Sequence, residues 1–133
     1  MLDNIRENST KFRKTLEATK LLDETDLQHL YELHRLYNEA LDLAAELMAS
    51  ALYMKDVAYN ERKNKQAEIM LEQQGTIAER EAKAELAIKE LREQEAQGNY
   101  TYTRYKALYN SLDHKLYDVK AKRSAMEREL QGG

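Results

Sequence analysis

The sequence predicts an all-α protein: a long antiparallel helical hairpin of coiled-coil character, preceded by a short amino-terminal helix and completed by self-association into a helical oligomer. Three observations predict it. First, one stripe counted alternately four and three residues apart reads Ala84, Ile88, Leu91, Glu95, Gly98, Tyr102, Tyr105, Tyr109, Leu112, Leu116, Val119, Arg123, Met126, Leu130, and eleven of these fourteen positions are apolar or tyrosine. A repeat of three and a half residues keeps one seam turned toward a partner helix. Second, 34 % of the 133 residues are charged, and the chain has no proline, cysteine or tryptophan and one phenylalanine. Such material suits long helices with narrow seams and is poor in the bulky groups of a thick core. Third, Gln73-Gln74-Gly75 interrupts the helical pattern near the middle and is followed at once by a new helix start.

Residues 1–22 are expected to be a short basic helix or arm, with Leu2, Ile5, Phe12 and Leu16 at loosely helical spacing among Arg6, Lys11, Arg13, Lys14 and Lys20. A helix this short is marginal without tertiary support. Residues 23–133 form the hairpin, with arms at about 25–72 and 76–131. Thr25 and Gln28 have the form of a capping box that opens the first arm. Along it run two adjacent stripes, one through Leu27, Leu30, His34, Tyr37, Leu41, Ala44, Met48 and Ala51, the other through Leu33, Leu36, Ala40, Leu43, Leu47, Met54 and Val57. A face that wide exceeds what one partner helix covers, which calls for a bundle or an oligomer. Gly75 suits the left-handed position that ends a helix, and Thr76 with Glu79 forms a second capping box. A link this short turns the chain back on itself. In the second arm Gly98 costs about 1 kcal/mol relative to alanine, yet the register carries through it, so the helix is expected to continue, with a kink there at most.

Self-association is expected along the seam, through Leu33, Leu36, Leu43, Leu47, Tyr105, Tyr109, Leu112, Leu116 and Met126. The net charge of −3 is unevenly spread: residues 1–22 carry five basic and three acidic groups, 23–59 two and eight, and 100–133 seven and four. Folding back about the turn sets opposed residue numbers totalling about 148, which brings Glu32, Glu39, Asp42 and Glu46 opposite the basic stretch from Arg104 to Lys120.

Little here points to catalysis. His29 and His34 are five apart and fall on different helix faces, and His114 lies on the other arm. Asp26-x-x-His29 is only half of a di-iron pattern, which needs Glu-x-x-His twice and two more inward glutamates. No phosphate loop, nucleophile elbow or zinc spacing occurs. A non-enzymatic protein without metal or cofactor is expected. No apolar run approaches a membrane span, the amino terminus lacks a signal-peptide pattern and cysteine is absent, so a soluble, cytoplasmic protein is expected.

Tyrosine is the unusual residue, with nine copies. Tyr37, Tyr102, Tyr105 and Tyr109 fit a seam with hydroxyls at its wet edge. Tyr59, Tyr100 and Tyr117 lie off it, among Arg62, Lys63, Lys65, Arg104, Lys106, Lys115, Lys120 and Lys122. Stacking faces with positive charge are what a single-stranded nucleic acid binds. The candidates for that contact are Tyr59, Arg62, Lys63, Lys65, Lys115, Lys120 and Lys122.

The segments Leu22-Asp23, Leu27, Leu33-His34-Arg35-Leu36-Tyr37 and Tyr59-Asn60-Glu61-Arg62-Lys63 follow one another in a layout that resembles the small recombination mediators of T4-type phages. There a capped helix carries a Leu-His-x-x-Tyr-like segment into a basic, tyrosine-bearing end, and a second long helix follows. The resemblance implies a ring-forming protein that binds single-stranded DNA and helps load a recombinase in exchange for the single-strand binding protein. It also implies that Arg62, Lys63 and Lys65 contact DNA, that the end of the second helix joins in oligomerisation, and that the protein acts in the bacterial host cytoplasm. The mediators are more basic than this chain and carry aromatic residues near the carboxy terminus that it lacks. The competing expectation, from the wide apolar face alone, is an adaptor or inhibitor that docks a host or phage protein without binding nucleic acid.

Overall fold

A computed structural model describes residues 2–72 and 75–132, of which the side chain of Leu2 is not included. Three helices account for it: α1 (Leu2–Thr19), α2 (Leu27–Leu71) and α3 (Ile77–Gly132). The protein is an all-α helical hairpin of α2 and α3, with α1 as a third helix.

Contacts divide the chain into two compact units, one of Met1–Met48 with Thr103–Gly133 and the other of Ala49–Tyr102. In the first unit, Phe12 from α1, Leu30, Leu33, Leu41 and Leu47 from α2, and Leu112, Leu116 and Val119 from α3 form a common core. The wide face of α2 is thereby covered within a single chain: α1 supplies Ile5, Phe12 and Leu16 against it, and the Phe12 and Tyr105 rings meet edge to face at 5.3 Å. Two threonines of α1 enter this interior because each returns its hydroxyl to the backbone, Thr15 to the Lys11 carbonyl at 2.9 Å and Thr19 to the Leu16 carbonyl at 2.6 Å.

This burial places the expected seam residues inside the first unit. Leu33, Leu36, Leu43, Leu47, Tyr105, Tyr109, Leu112, Leu116 and Met126 are all buried or half-buried inside the first unit.

The start of α2 also differs from expectation. Asp23 accepts from both the Thr25 N–H (2.9 Å) and the Thr25 hydroxyl (2.7 Å), which withdraws Thr25 from capping. Asp26 takes over, its Oδ1 accepting from the N–H of Gln28 at 2.9 Å and of His29 at 3.2 Å. The expected link at Gln73-Gln74 lies outside the described residues. Around it, Gly75 has φ 79°, the left-handed region open to glycine. Thr76 and Glu79 form the reciprocal capping box, at 3.1 and 3.3 Å. Arg80 donates to the Met70 carbonyl at 3.1 Å, satisfying one of the free carbonyls at the end of α2.

Helix α3 runs unbroken through Gly98. A Cβ there would lie 2.9 Å from the Ala51 carbonyl oxygen and 3.0 Å from the Lys55 Cβ; glycine is present because two backbones pass too closely for anything larger. Those contacts set residue 98 against residues 51 and 55, totalling 149 and 153, at and a little beyond the register expected from the turn. Long side chains meet further along, at 62 with 95 and at 34 with 123, each totalling 157. Side chains lean toward their own helix amino terminus, which shifts the contact of two antiparallel helices in this direction. Three of the four acidic residues expected opposite the basic stretch are engaged elsewhere. Glu32 and Glu39 pair with Arg35 on their own helix, Glu46 accepts from Asn8 of α1 at 3.4 Å, and Asp42 is exposed. Arg35, three residues from Glu32 and four from Glu39, lies on the same helix face as both and engages them there.

Candidate functional site

Every buried residue of α3 lies on the predicted stripe: Ala84, Ile88, Gly98, Tyr105, Leu112, Leu116 and Val119. The stripe's three non-apolar positions are the informative ones, since each must be compensated where it meets α2. Gly98 allows the close approach just described. Glu95 receives Arg62 in a two-pronged bond, Nε to Oε2 at 2.5 Å and Nη2 to Oε1 at 3.3 Å, with both side chains less than one-fifth exposed. Arg123 donates from Nη1 to His34 Nδ1 at 2.5 Å and stacks 5.4 Å from the Tyr31 ring centre. An arginine has no lone pair to offer, so His34 accepts and carries its proton on Nε2. Burial, with Arg123 and Lys120 close by, holds the His34 pKa below the usual imidazole value. The Tyr31 hydroxyl donates to Glu127 at 2.6 Å, which raises its pKa. His29 is used otherwise: its Nδ1 accepts the Asp23 N–H at 2.8 Å and so ties the α1–α2 connection to α2. Among the described residues no group of three His, Cys, Asp or Glu could hold a metal ion.

The expected nucleic-acid contacts do not form one patch. Within the second unit, Arg62 is turned into the seam and committed to Glu95, which removes it as a free phosphate contact. Its other face lies 5.1 Å from the Tyr59 ring centre, and Lys63 lies 5.6 Å from the same ring. Tyr59 therefore already carries two cations, with 44 % of its surface exposed. Lys65 is exposed two residues beyond Lys63, about 200° round the helix, on a groove edged by Glu61 and Glu68. In the first unit Lys122 is ion-paired with Glu24, Lys120 is exposed near His34, and Lys115 is exposed.

A more coherent arrangement in the first unit is one the sequence reading passed over. Between α1 and α3 lies a groove of about 520 Å³ whose apolar floor is Phe12, Leu16, Tyr105 and Leu108. Arg13 from α1, Lys20 just past its end and Arg104 from α3 line it, and Glu17 is its one acidic residue. None of these three cations forms an ion pair among the described residues. At its edge the Ser9 and Tyr105 hydroxyls share a hydrogen bond of 2.8 Å. The signal was present in the spacing: Arg6 and Arg13 on α1 and Lys20 one residue beyond it recur every seven residues. What the spacing could not reveal was that Arg104 completes the set from a helix more than eighty residues away. The chain matches no family model, no curated protein and no solved structure.

Proposed function

We propose that the protein is a non-enzymatic binder of single-stranded nucleic acid that contacts the strand along the α1–α3 groove. The observation that carries this reading is the convergence of Arg13, Lys20 and Arg104, without ion-pair partners, on an apolar groove. Cations left unneutralised by their own protein gain most from phosphate, and apolar walls accommodate bases beside the backbone. Exposed Lys115 extends positive charge on α3. The wider role of a phage recombination or replication accessory that assists recombinase loading is supported by the resemblance across residues 22–63.

Fluorescence anisotropy with a labelled oligonucleotide tests the reading. Affinity should fall steeply as salt rises, and Arg13→Ser, Lys20→Ser and Arg104→Ser together should flatten the slope of log K against log salt by about 2, at roughly 0.7 per lost contact on a single strand. A natively helical chain that binds nothing at low salt refutes it. A second reading, the protein-binding adaptor, is favoured by Leu71 and Ile77, which flank the turn at 79 % and 62 % exposure. Nuclease-resistant capture of one protein partner, abolished by Leu71→Ser with Ile77→Ser, would support it.

A further inference from the structure

In the second unit α3 packs on α2 through positions 84, 88, 91, 95, 98 and 102, all buried or half-buried. Two residues before each of these, some 200° round the helix, stand Ala82, Leu86, Lys89, Glu93, Ala96 and Tyr100, every one exposed. This second stripe lies on the side of α3 turned away from α2, and it is neither polar throughout nor smooth. Leu86 is 79 % exposed and Tyr100 64 % exposed. An open groove of about 480 Å³ with almost wholly carbon walls runs along it beside Leu86, Lys89, Glu93 and Ala96.

The side chains on the stripe, large and small at its ends and oppositely charged at its centre, select its occupant. Leu91 is the midpoint between Ala82 and Tyr100. If a second copy is laid antiparallel across that midpoint, residues whose numbers total 182 meet. Leu86 then stands over Ala96, Tyr100 over Ala82, and Lys89 against Glu93, each twice by symmetry. Large faces small at both ends, and opposite charges face each other at the centre. Lys89 and Glu93 make no ion pair among the described residues, whereas Glu85 and Arg92 at the stripe's edge already neutralise each other at 3.0 Å. A surface that complements itself under a two-fold rotation is what an isologous dimer uses, and charges at such positions fix partner and register.

We infer that the outer face of α3 between Ala82 and Tyr100 is a self-association surface that takes the same face of a second copy, antiparallel, with Lys89 opposite Glu93. It stands apart from the α1–α3 groove and from the nucleic-acid reading.

Sedimentation equilibrium over a wide concentration range is the test, with circular dichroism as a check on helicity. The average mass should climb from 15.6 kDa as concentration rises. Lys89→Glu alone or Glu93→Lys alone sets like charges face to face and should weaken association by about tenfold or more. The double variant Lys89→Glu with Glu93→Lys restores opposite charges across the axis and should recover association to within about threefold of the parent. A chain of 15.6 kDa at every concentration, association indifferent to the single swaps, or a double swap no better than the singles would each overturn the inference.

Discussion

The two units are built from the same pair of helices and solve burial in opposite ways. Where α1 is present, α2 carries two apolar stripes, and the core holds Phe12, Leu30, Leu33, Leu47, Leu112 and Leu116. Where only α2 and α3 remain, the seam narrows to Ala51, Ala58, Ile69, Ala84, Ile88 and Gly98, with Arg62 and Glu95 paired inside it. Three helices enclose a volume that only large side chains fill; two helices meet along a line, which small residues let them approach. The same geometry sets what is left outside. Among the described residues, eight of the twelve exposed large hydrophobic residues belong to the two-helix unit, Leu52, Tyr53, Tyr59, Met70, Leu71, Ile77, Leu86 and Tyr100. The unit with the thinner core is therefore the one that leaves more large apolar side chains exposed.

The largest expected effect tests whether α1 belongs to the core. Phe12→Ala should cost about 3–5 kcal/mol in urea unfolding, and faster amide exchange should be confined to α1 and the segments it covers. Equal acceleration in residues 49–102 would erase the distinction between the units. Next in size is Gly98→Ala. Helix propensity alone favours the alanine by about 1 kcal/mol, but the added methyl would press on the Ala51 carbonyl, so a net loss of about 1–3 kcal/mol is expected. A gain in melting temperature would mean the two backbones are not in close approach.

A smaller loss should follow Arg62→Leu, which strands Glu95 in the seam, and Arg62→Leu with Glu95→Leu should recover most of it. A double variant no more stable than the single would show that the pair is replaceable by water and not part of the seam. The smallest effect concerns His34. Its folded pKa is depressed, so the unfolded chain binds the proton more readily, and this group's contribution is present above the unfolded value near 6.5 and lost as pH falls through it toward the folded value. Mild acidification should thus weaken the first unit slightly, and His34→Gln should remove that dependence. Imidazole proton shifts followed by NMR against pH check it directly; a midpoint above 6.5 would contradict the assignment of His34 as an acceptor from Arg123.

The candidate site was legible only in fragments. Tyr59, Arg62, Lys63 and Lys65 look like one basic, aromatic cluster when written in a line, but 100° per residue turns Lys63 and Lys65 to different sides and carries Arg62 into the seam. Arg13, Lys20 and Arg104 look unrelated in the sequence, and helix packing brings them to one groove.

The sequence by itself determined the helices, the stripe from Ala84 onward and the turn at Gly75, because period, capping and glycine conformation are properties of neighbouring residues. Only the tertiary structure decided what covers each face: that α1 seals the wide side of α2, that Glu95 and Arg123 are matched by Arg62 and His34, and that Gly98 marks a backbone contact. A helix repeat states that a face must be buried without stating against what, and that choice is made by segments far apart in the chain.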